Sequence, residues 1–295
     1  LYHLRGILKK QVHSAINPII SILLCLVLTG TVASGQNQPK ISVNRLSDKT
    51  ILLNLNNSEP HNVIAINSKE GIVVIDSEIS PAIAQAMREK IIETFGNENF
   101  RYLINTHAHW DHAFGNCAFS DATLIGHTNS TKVLQTFPSR AAQMAERMPA
   151  IINSLTSRME KAEPGSDDAT RLQETISYYE LCLDGISSDF STPLPSITFT
   201  EDLTLHLDDI TLIIKYFGNA HTNSDLLIYC PEEKFLATGD LFIPKMNPPY
   251  LNSDNVGNLN RYISVLESYL ESDTSLLFVI PGHANGLDPS SLKEI

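Results

Sequence analysis

The 295-residue sequence carries a formal charge of −12, with 42% hydrophobic and 18% charged residues. That is the balance of a globular protein with one sizeable core or two small ones. No stretch supplies the basic face that nucleic-acid binding requires. The acidic body also argues against anionic polymers as substrates, weakly, because bound metal ions would add positive charge of their own.

The first 35 residues stand apart. Arg5, Lys9 and Lys10 make a basic start without an acidic residue, Ile19 to Leu28 is an apolar run, and Ala33, Ser34 and Gly35 follow as small residues. This is the order of a secretory signal peptide, and the run is shorter than the roughly 20 residues of a membrane span. The expectation is export to a bacterial periplasm or the medium, with no stable membrane span after cleavage; an uncleaved anchor is the competing reading. Removal of residues 1–35 leaves a body of about −15. It keeps Cys117, Cys182 and Cys230, an odd set at scattered positions rather than a disulfide framework, with one bridge still open.

Residues 36–40 are polar and are expected to form a linker. Strand-like runs follow at Ile41–Leu46, Thr50–Leu55, Val63–Ile66 and Ile72–Ile75, separated by Asn, Ser, Asp and Gly as in hairpins. Ser80 then caps a helix with Pro81 in its first turn. Ile83, Met87, Ile91 and Phe95 recur at helical spacing, and Gly96 stands where the helix should end. Tyr102–Asn105 and Thr123–Ile125 are further strands. Residues 130–185 turn helical in composition, broken by Pro138, Pro149 and Pro164-Gly165, and predict an insert of two or three helices. Met144, Met148, Ile151, Ile152 and Leu155 share one helical face, which either packs on the core or forms a lid over a cleft. Strands return at Ser196–Phe199, Leu203–Leu207, Thr211–Phe217, Leu226–Tyr229 and Phe235–Ala237; a helix over Leu259–Leu270 and a strand over Leu276–Ile280 complete the pattern. Each half thus gives antiparallel-looking strands and then a helix, which predicts two sheets face to face with helices outside.

Five of the ten histidines carry the chemistry: His107, His109, His112, His221 and His283. Each follows an apolar strand-like run, as does Asp240, and strand ends open into the loops where sites are built. Imidazole and carboxylate are zinc ligands. His107 and His109, two apart, point the same way from extended backbone. With His221 they make one ligand set. Asp111, His112 and His283 make a second, and Asp240 can bridge the two ions. A pair of metals about 3.5–4 Å apart can share a hydroxide, since metal binding lowers the pKa of water.

The segment Thr106–His112 resembles the metal signature of the metallo-β-lactamase-fold hydrolases. Gly71–Asp76, Gly218–Asp225, Gly239-Asp240 and Pro281-Gly282-His283 are similar to the superfamily's other motifs, so the resemblance runs from about Ile41 to His283. It implies an α/β fold, a four-layer αββα sandwich over residues 41–295, carrying the insert at 130–185. The bridging Asp240 is more like the glyoxalase-II-type thioesterases and lactonases than most β-lactamases of this fold, although the helical domain that follows the fold in glyoxalase II has no counterpart here.

The resemblance implies hydrolysis of an ester-like or amide-like bond in a small molecule, such as a lactone, thioester or β-lactam. Two Zn²⁺ ions are expected, with iron or manganese as substitutes, and Asp111 would also orient the attacking water or pass its proton. A redox enzyme is the alternative, a mononuclear iron dioxygenase of sulfur compounds. A nuclease or a non-catalytic binding protein fits the acidic chain and the full ligand set less well. No nucleic-acid partner is expected, and the oligomeric state is left open. Around the site, Asp76 is read as structural, Asp225 either orients a ligand or ties its own loop, His127 is a structural histidine, Trp110 and Phe114 pack around the cluster, Tyr250 is a candidate pocket residue, and Cys117 is an inert thiol.

Overall fold

A computed structural model describes residues 39–55, 61–186, 190–218, 220–243 and 276–284. The signal-like segment, the helix expected over 259–270 and Tyr250 lie outside these. Among the described residues no helix is long and apolar enough to cross a membrane.

The first sheet has seven strands in chain order. β1 (Ile41–Arg45), β2 (Thr50–Leu55), β3 (Val63–Ser68) and β4 (Gly71–Ile75) form an antiparallel meander. The direction then changes. β5 (Phe100–Ile104), β6 (Thr123–His127) and β7 (Ile197–Phe199) are each added in parallel, a change of direction that the antiparallel-looking runs of the sequence did not show. The cause is the length of the connections: a strand returning in the same direction needs a crossover, usually a helix, and β4–β5 and β6–β7 are both joined through helices.

Helix α1 (Pro81–Phe95) makes the first crossover. The Ser80 side chain accepts from the Ile83 amide, Pro81 sits in the first turn, and Gly96, at φ 62°, closes the end by donating its N–H to the Ile92 carbonyl. The second sheet has five strands: β8 (Leu203–His206), β9 (Thr211–Gly218), β10 (Asp225–Cys230) and β11 (Phe235–Gly239) pair antiparallel, and β12 (Phe278–Pro281) lies parallel to β11.

Alternation along the strands sorts side chains into layers. Leu52, Ile64, Ile66, Val73 and Ile75 meet Leu212, Ile214, Ile228 and Phe235 between the two sheets. Ile51, Leu53, Val74 and Leu103 face the other way, onto Ile83, Met87 and Ile91 of α1. Each such buried side chain stabilises the fold by roughly 1.5–3 kcal/mol before chain entropy is counted. The far face of the second sheet is buried as well, through Leu227, Leu236 and Val279.

The insert has three helices, α3 (Ser130–Leu134), α4 (Phe137–Met159) and α5 (Asp167–Leu183), after the short α2 (Trp110–Ala113). Pro149 does not break α4; it lies inside it. The proline removes one donor, but Pro149 and Ala145, whose carbonyl loses that partner, are both exposed, so water can take over. Pro164-Gly165 does end the helical run, and Ser166 caps α5 by accepting from the Ala169 amide. The apolar face of α4 divides: Met148 is buried against the core and Met144 partly so, whereas Ile151 is 44% exposed.

Candidate metal centre

Both sheets end at one edge. β5 runs into His107, β9 leads towards His221, β11 into Asp240, and β12 into His283. The two sheets are stitched there by backbone bonds: the Leu226 amide donates to the Thr106 carbonyl and the Asn62 amide to the Gly282 carbonyl, both at 2.8 Å. After a bend at Thr106 and His107 the backbone is extended at His109, at φ −95° and ψ 153°, before α2 turns away, so His107 and His109 enter from the loop after β5 while Asp111 and His112 enter from the first helical turn.

These side chains converge as two groups sharing Asp240. His107, His109, His221 and Asp240 form one; Asp111, His112, Asp240 and His283 form the other. Within each, the ligating atoms lie within 4.8 Å of one another. The Asp240 carboxylate stands between them, Oδ2 at 3.4 Å from His221 Nε2 and 3.3 Å from His283 Nε2, Oδ1 at 3.4 Å from His112 Nε2. All seven residues singled out from the sequence are therefore in one place.

Three facts fit this cluster to metal ions. His107 Nε2, His112 Nε2 and Asp240 Oδ1 are buried and have no hydrogen-bond partner, a costly state for polar atoms unless something else binds them. The Gly282 backbone comes close against two of these ligands, and a β-carbon there would collide with Asp240 Oδ1 and stand 2.7 Å from His112 Cε1. The rings are also held from behind. Asp76, in the left-handed region at φ 61°, accepts from the Thr106 amide and hydroxyl, both at 2.7 Å, and its Oδ2 lies 3.1 Å from His112 Nδ1. Thr106 Oγ1 in turn lies 3.1 Å from His107 Nδ1. A carboxylate only accepts, so the ring proton of His112 belongs on Nδ1. The Thr106 hydroxyl donates to Asp76 and so accepts from His107 Nδ1. Both neutral rings then keep the Nε2 lone pair for a ligand. Asp76 is structural, and this is the form its role takes.

The two groups differ in charge. Burial, and then the neighbouring His112 charge, push His107 well below its ordinary pKa; burial and His221 lower His109 to about 4. Burial also works against protonation of His112 and His283, but there the carboxylates win. Asp240 and Asp111 hold His112 well above its usual value, and hydrogen bonds to Asp111 and Asp240 raise His283 to about 9. Burial alone would raise Asp111 and Asp240, yet the surrounding imidazoles keep both well below the ordinary carboxylate range.

The neighbouring residues resolve as follows. Asp225 ties its own loop, accepting from the Thr222 amide at 2.8 Å and from the Thr222 hydroxyl, and burial raises it to about 7. His127 stacks on Tyr216 at 3.7 Å between centroids, a packing role. Trp110 and Phe114 pack edge to face beside the cluster. Burial raises the Cys117 thiol above its usual pKa, and Cys117, Cys182 and Cys230 are all unbridged. A groove of about 560 Å³ opens along α4, lined among others by Trp110, Arg140, Gln143, Met144, Arg147 and Ile151.

Two buried residues at the site escape the sequence reading, His61 and Glu78. His61 Nε2 lies 3.7 Å from Asp111 Oδ2, and its Nδ1 lies 3.4 Å from Glu78 Oε2. A signal for His61 exists. β3 is antiparallel to β4, so the residues leading into β3 lie beside the end of β4, where Asp76 is. A histidine just before β3 is thus on the metal edge. Glu78 has no comparable signature.

A two-sheet sandwich with a His/Asp centre able to hold metal ions at its strand ends defines a class of metalloprotein. The sequence matches the family model of the metallo-beta-lactamase superfamily over residues 57–283, and the chain belongs to that superfamily, made up largely of metal-dependent hydrolases. Among solved structures, a metallo-beta-lactamase from Pontibacter korlensis superposes with a TM-score of 0.59 at 16% identity, covering 86% of this chain and 95% of its own. The DIM-1 metallo-beta-lactamase exposed to ceftazidime gives a TM-score of 0.57 at 15% identity, with 88% and 95% covered. At these identities the likeness is one of fold. No curated protein sequence matches.

Proposed function

We propose that the chain is a two-metal hydrolase of an ester-like or amide-like bond in a small molecule. The observation that carries this is the pair of ligand groups sharing Asp240, with three buried polar atoms left for an ion to satisfy. His107, His109 and His221 would hold one divalent ion and Asp111, His112 and His283 the other, with Asp240 between them. The donor set suits zinc. Bound there, such ions supply Lewis acidity and a water acidified towards neutrality.

The protein's own residues do the remainder. Asp111 keeps an ionised carboxylate, its side chain 16% exposed, and its Oδ2 is suited to accept a hydrogen bond from the attacking water and orient it. Asp76 and Thr106 fix the two rings behind it. The groove beside Trp110 receives the body of the substrate, and its mix of apolar wall and arginines favours a molecule with both an apolar and a polar end.

The test is a hydrolysis screen over β-lactams, lactones, thioesters and phosphate and sulfate esters, with metal analysis of protein purified without added metal. Turnover of one ester-like or amide-like class with about two equivalents of divalent metal is expected. Stoichiometric iron with oxygen consumption on a persulfide would overturn the reading. We further infer that residues 1–35 direct export. Sequencing of the secreted protein should then begin near Gln36, and a retained Leu1 contradicts cleavage.

A further inference from the structure

His61 is tied to the second ligand group through both its backbone and its ring. Its backbone forms an isolated bridge with His283. The next residue extends the tie: the Asn62 amide donates to the Gly282 carbonyl at 2.8 Å, and the Asn62 side chain donates to the carbonyls of Pro281 at 2.8 Å and Ala284 at 2.5 Å. The imidazole then fills the space between three acceptors and rings. It stands edge-on to His283 at 4.5 Å between centroids, faces Asp111 through Nε2 and faces Glu78 through Nδ1.

Glu78 is built for this contact. Its side chain is fully buried, its backbone is held at φ 73°, which a glutamate rarely adopts, and Oε1 has no hydrogen-bond partner. The other oxygen accepts only the amide of its own neighbour, Ile79, at 2.9 Å. Among the described residues its sole ion-pair partner is His61. The insert adds to the enclosure: the ring of Tyr178 from α5 lies 6.1 Å from that of His61, and burial together with the nearby Cys182, Glu78 and Asp111 pushes the Tyr178 hydroxyl far above its usual pKa. A strained, desolvated carboxylate with one imidazole partner is an expensive arrangement unless the orientation of that imidazole matters.

We propose that His61, oriented by Glu78, is a positioning residue that sets Asp111 and His283 for the second metal ion. Glu78 Oε2 faces Nδ1 at 3.4 Å, a charge contact without a hydrogen bond, while Nε2 faces Asp111 Oδ2 at 3.7 Å. The backbone bridge holds the loop carrying His283 against the same ring. The first group is supported differently, through Thr106 behind His107. The proposal rests on the two-metal reading above.

The experiment measures stepwise Zn²⁺ binding to the metal-stripped full chain, by competition with a chromophoric chelator, for wild type, His61→Ala, His61→Gln, Glu78→Ala and the double alanine variant. Outer partners of ligands are typically worth 10–100-fold in metal affinity. His61→Ala should therefore weaken the second equivalent by that factor and leave the first unchanged. His61→Gln keeps a side-chain N–H near Nε2 and should recover most of the loss. Glu78→Ala should weaken the same equivalent, and the double variant should be no worse than His61→Ala, since the two act as a unit. An unchanged second equivalent in His61→Ala, or equal weakening of both equivalents, would overturn the role. If wild type itself binds one equivalent, the two-metal reading fails, and His61 loses this role with it.

Discussion

The two halves of the centre are made in different ways. His107, His109 and His221 come from the loops that follow β5 and β9, and their rings pack against one another. Burial keeps His107 and His109 neutral, so they are ready to donate lone pairs. Asp111 and His112 come from a helical turn and His283 from just past the end of β12, more than a hundred residues away, and the side chains of His283 and Asp111 remain 23% and 16% exposed. Here each imidazole already has a carboxylate, and the group is an ion-paired network in its own right. An ion entering the first group meets His107 and His109 held neutral; one entering the second must displace protons. The lesson is that sharing Asp240 does not make the two positions equivalent.

The largest effect should come from removing what the halves share. Asp240→Ala strips an acceptor from both groups, and its loss of activity should exceed the 100-fold or so that an outer partner costs. It is read by metal content and turnover; unchanged values for both would refute the site. His109→Ala should separate the halves: one metal lost, the second group still loaded, and nearly all hydrolysis gone.

Asp76→Asn is next. An amide facing His112 Nδ1 can donate, which favours the wrong tautomer, and it also weakens the bonds from Thr106. A fall of about 10–100-fold in affinity for the second metal is expected from binding isotherms. Acidity offers a gentler contrast. In the metal-stripped protein, the raised pKa of His283 contributes stability that is present in full below about pH 6.5 and lost as pH rises through about 9. Metal binding runs the other way: affinity of the second group should climb between those limits as His283 sheds its proton, while His107 and His109 of the first group, held neutral by burial, add no such rise. Parallel pH profiles for the two equivalents would erase the distinction. The smallest effect belongs to the groove. Ile151→Asn should raise KM several-fold, the scale of one lost apolar contact, with metal content and stability unchanged.

Much of this was legible in the sequence, for identifiable reasons. The ligands fall on strand ends next to short motifs, so His107 to His112, His221, Asp240 and His283 could be named together. Capping chemistry fixed α1 at Ser80, Pro81 and Gly96. Strand direction was not legible, because period-two alternation is the same in parallel and antiparallel sheets; only the connecting helices decide it. Pro149 misled, since a proline whose freed carbonyl faces water is tolerated in a helix. His61 and Glu78 were missed because their importance comes from pairing across the fold, with His283 and Asp111, and neither belongs to a local motif.

The central claim is best tested by a crystal structure of the zinc-loaded protein with anomalous data at the zinc edge. Two peaks are predicted, one among His107, His109 and His221 and one among Asp111, His112 and His283, both in contact with Asp240. A single peak, or a second one away from Asp240, would contradict the account.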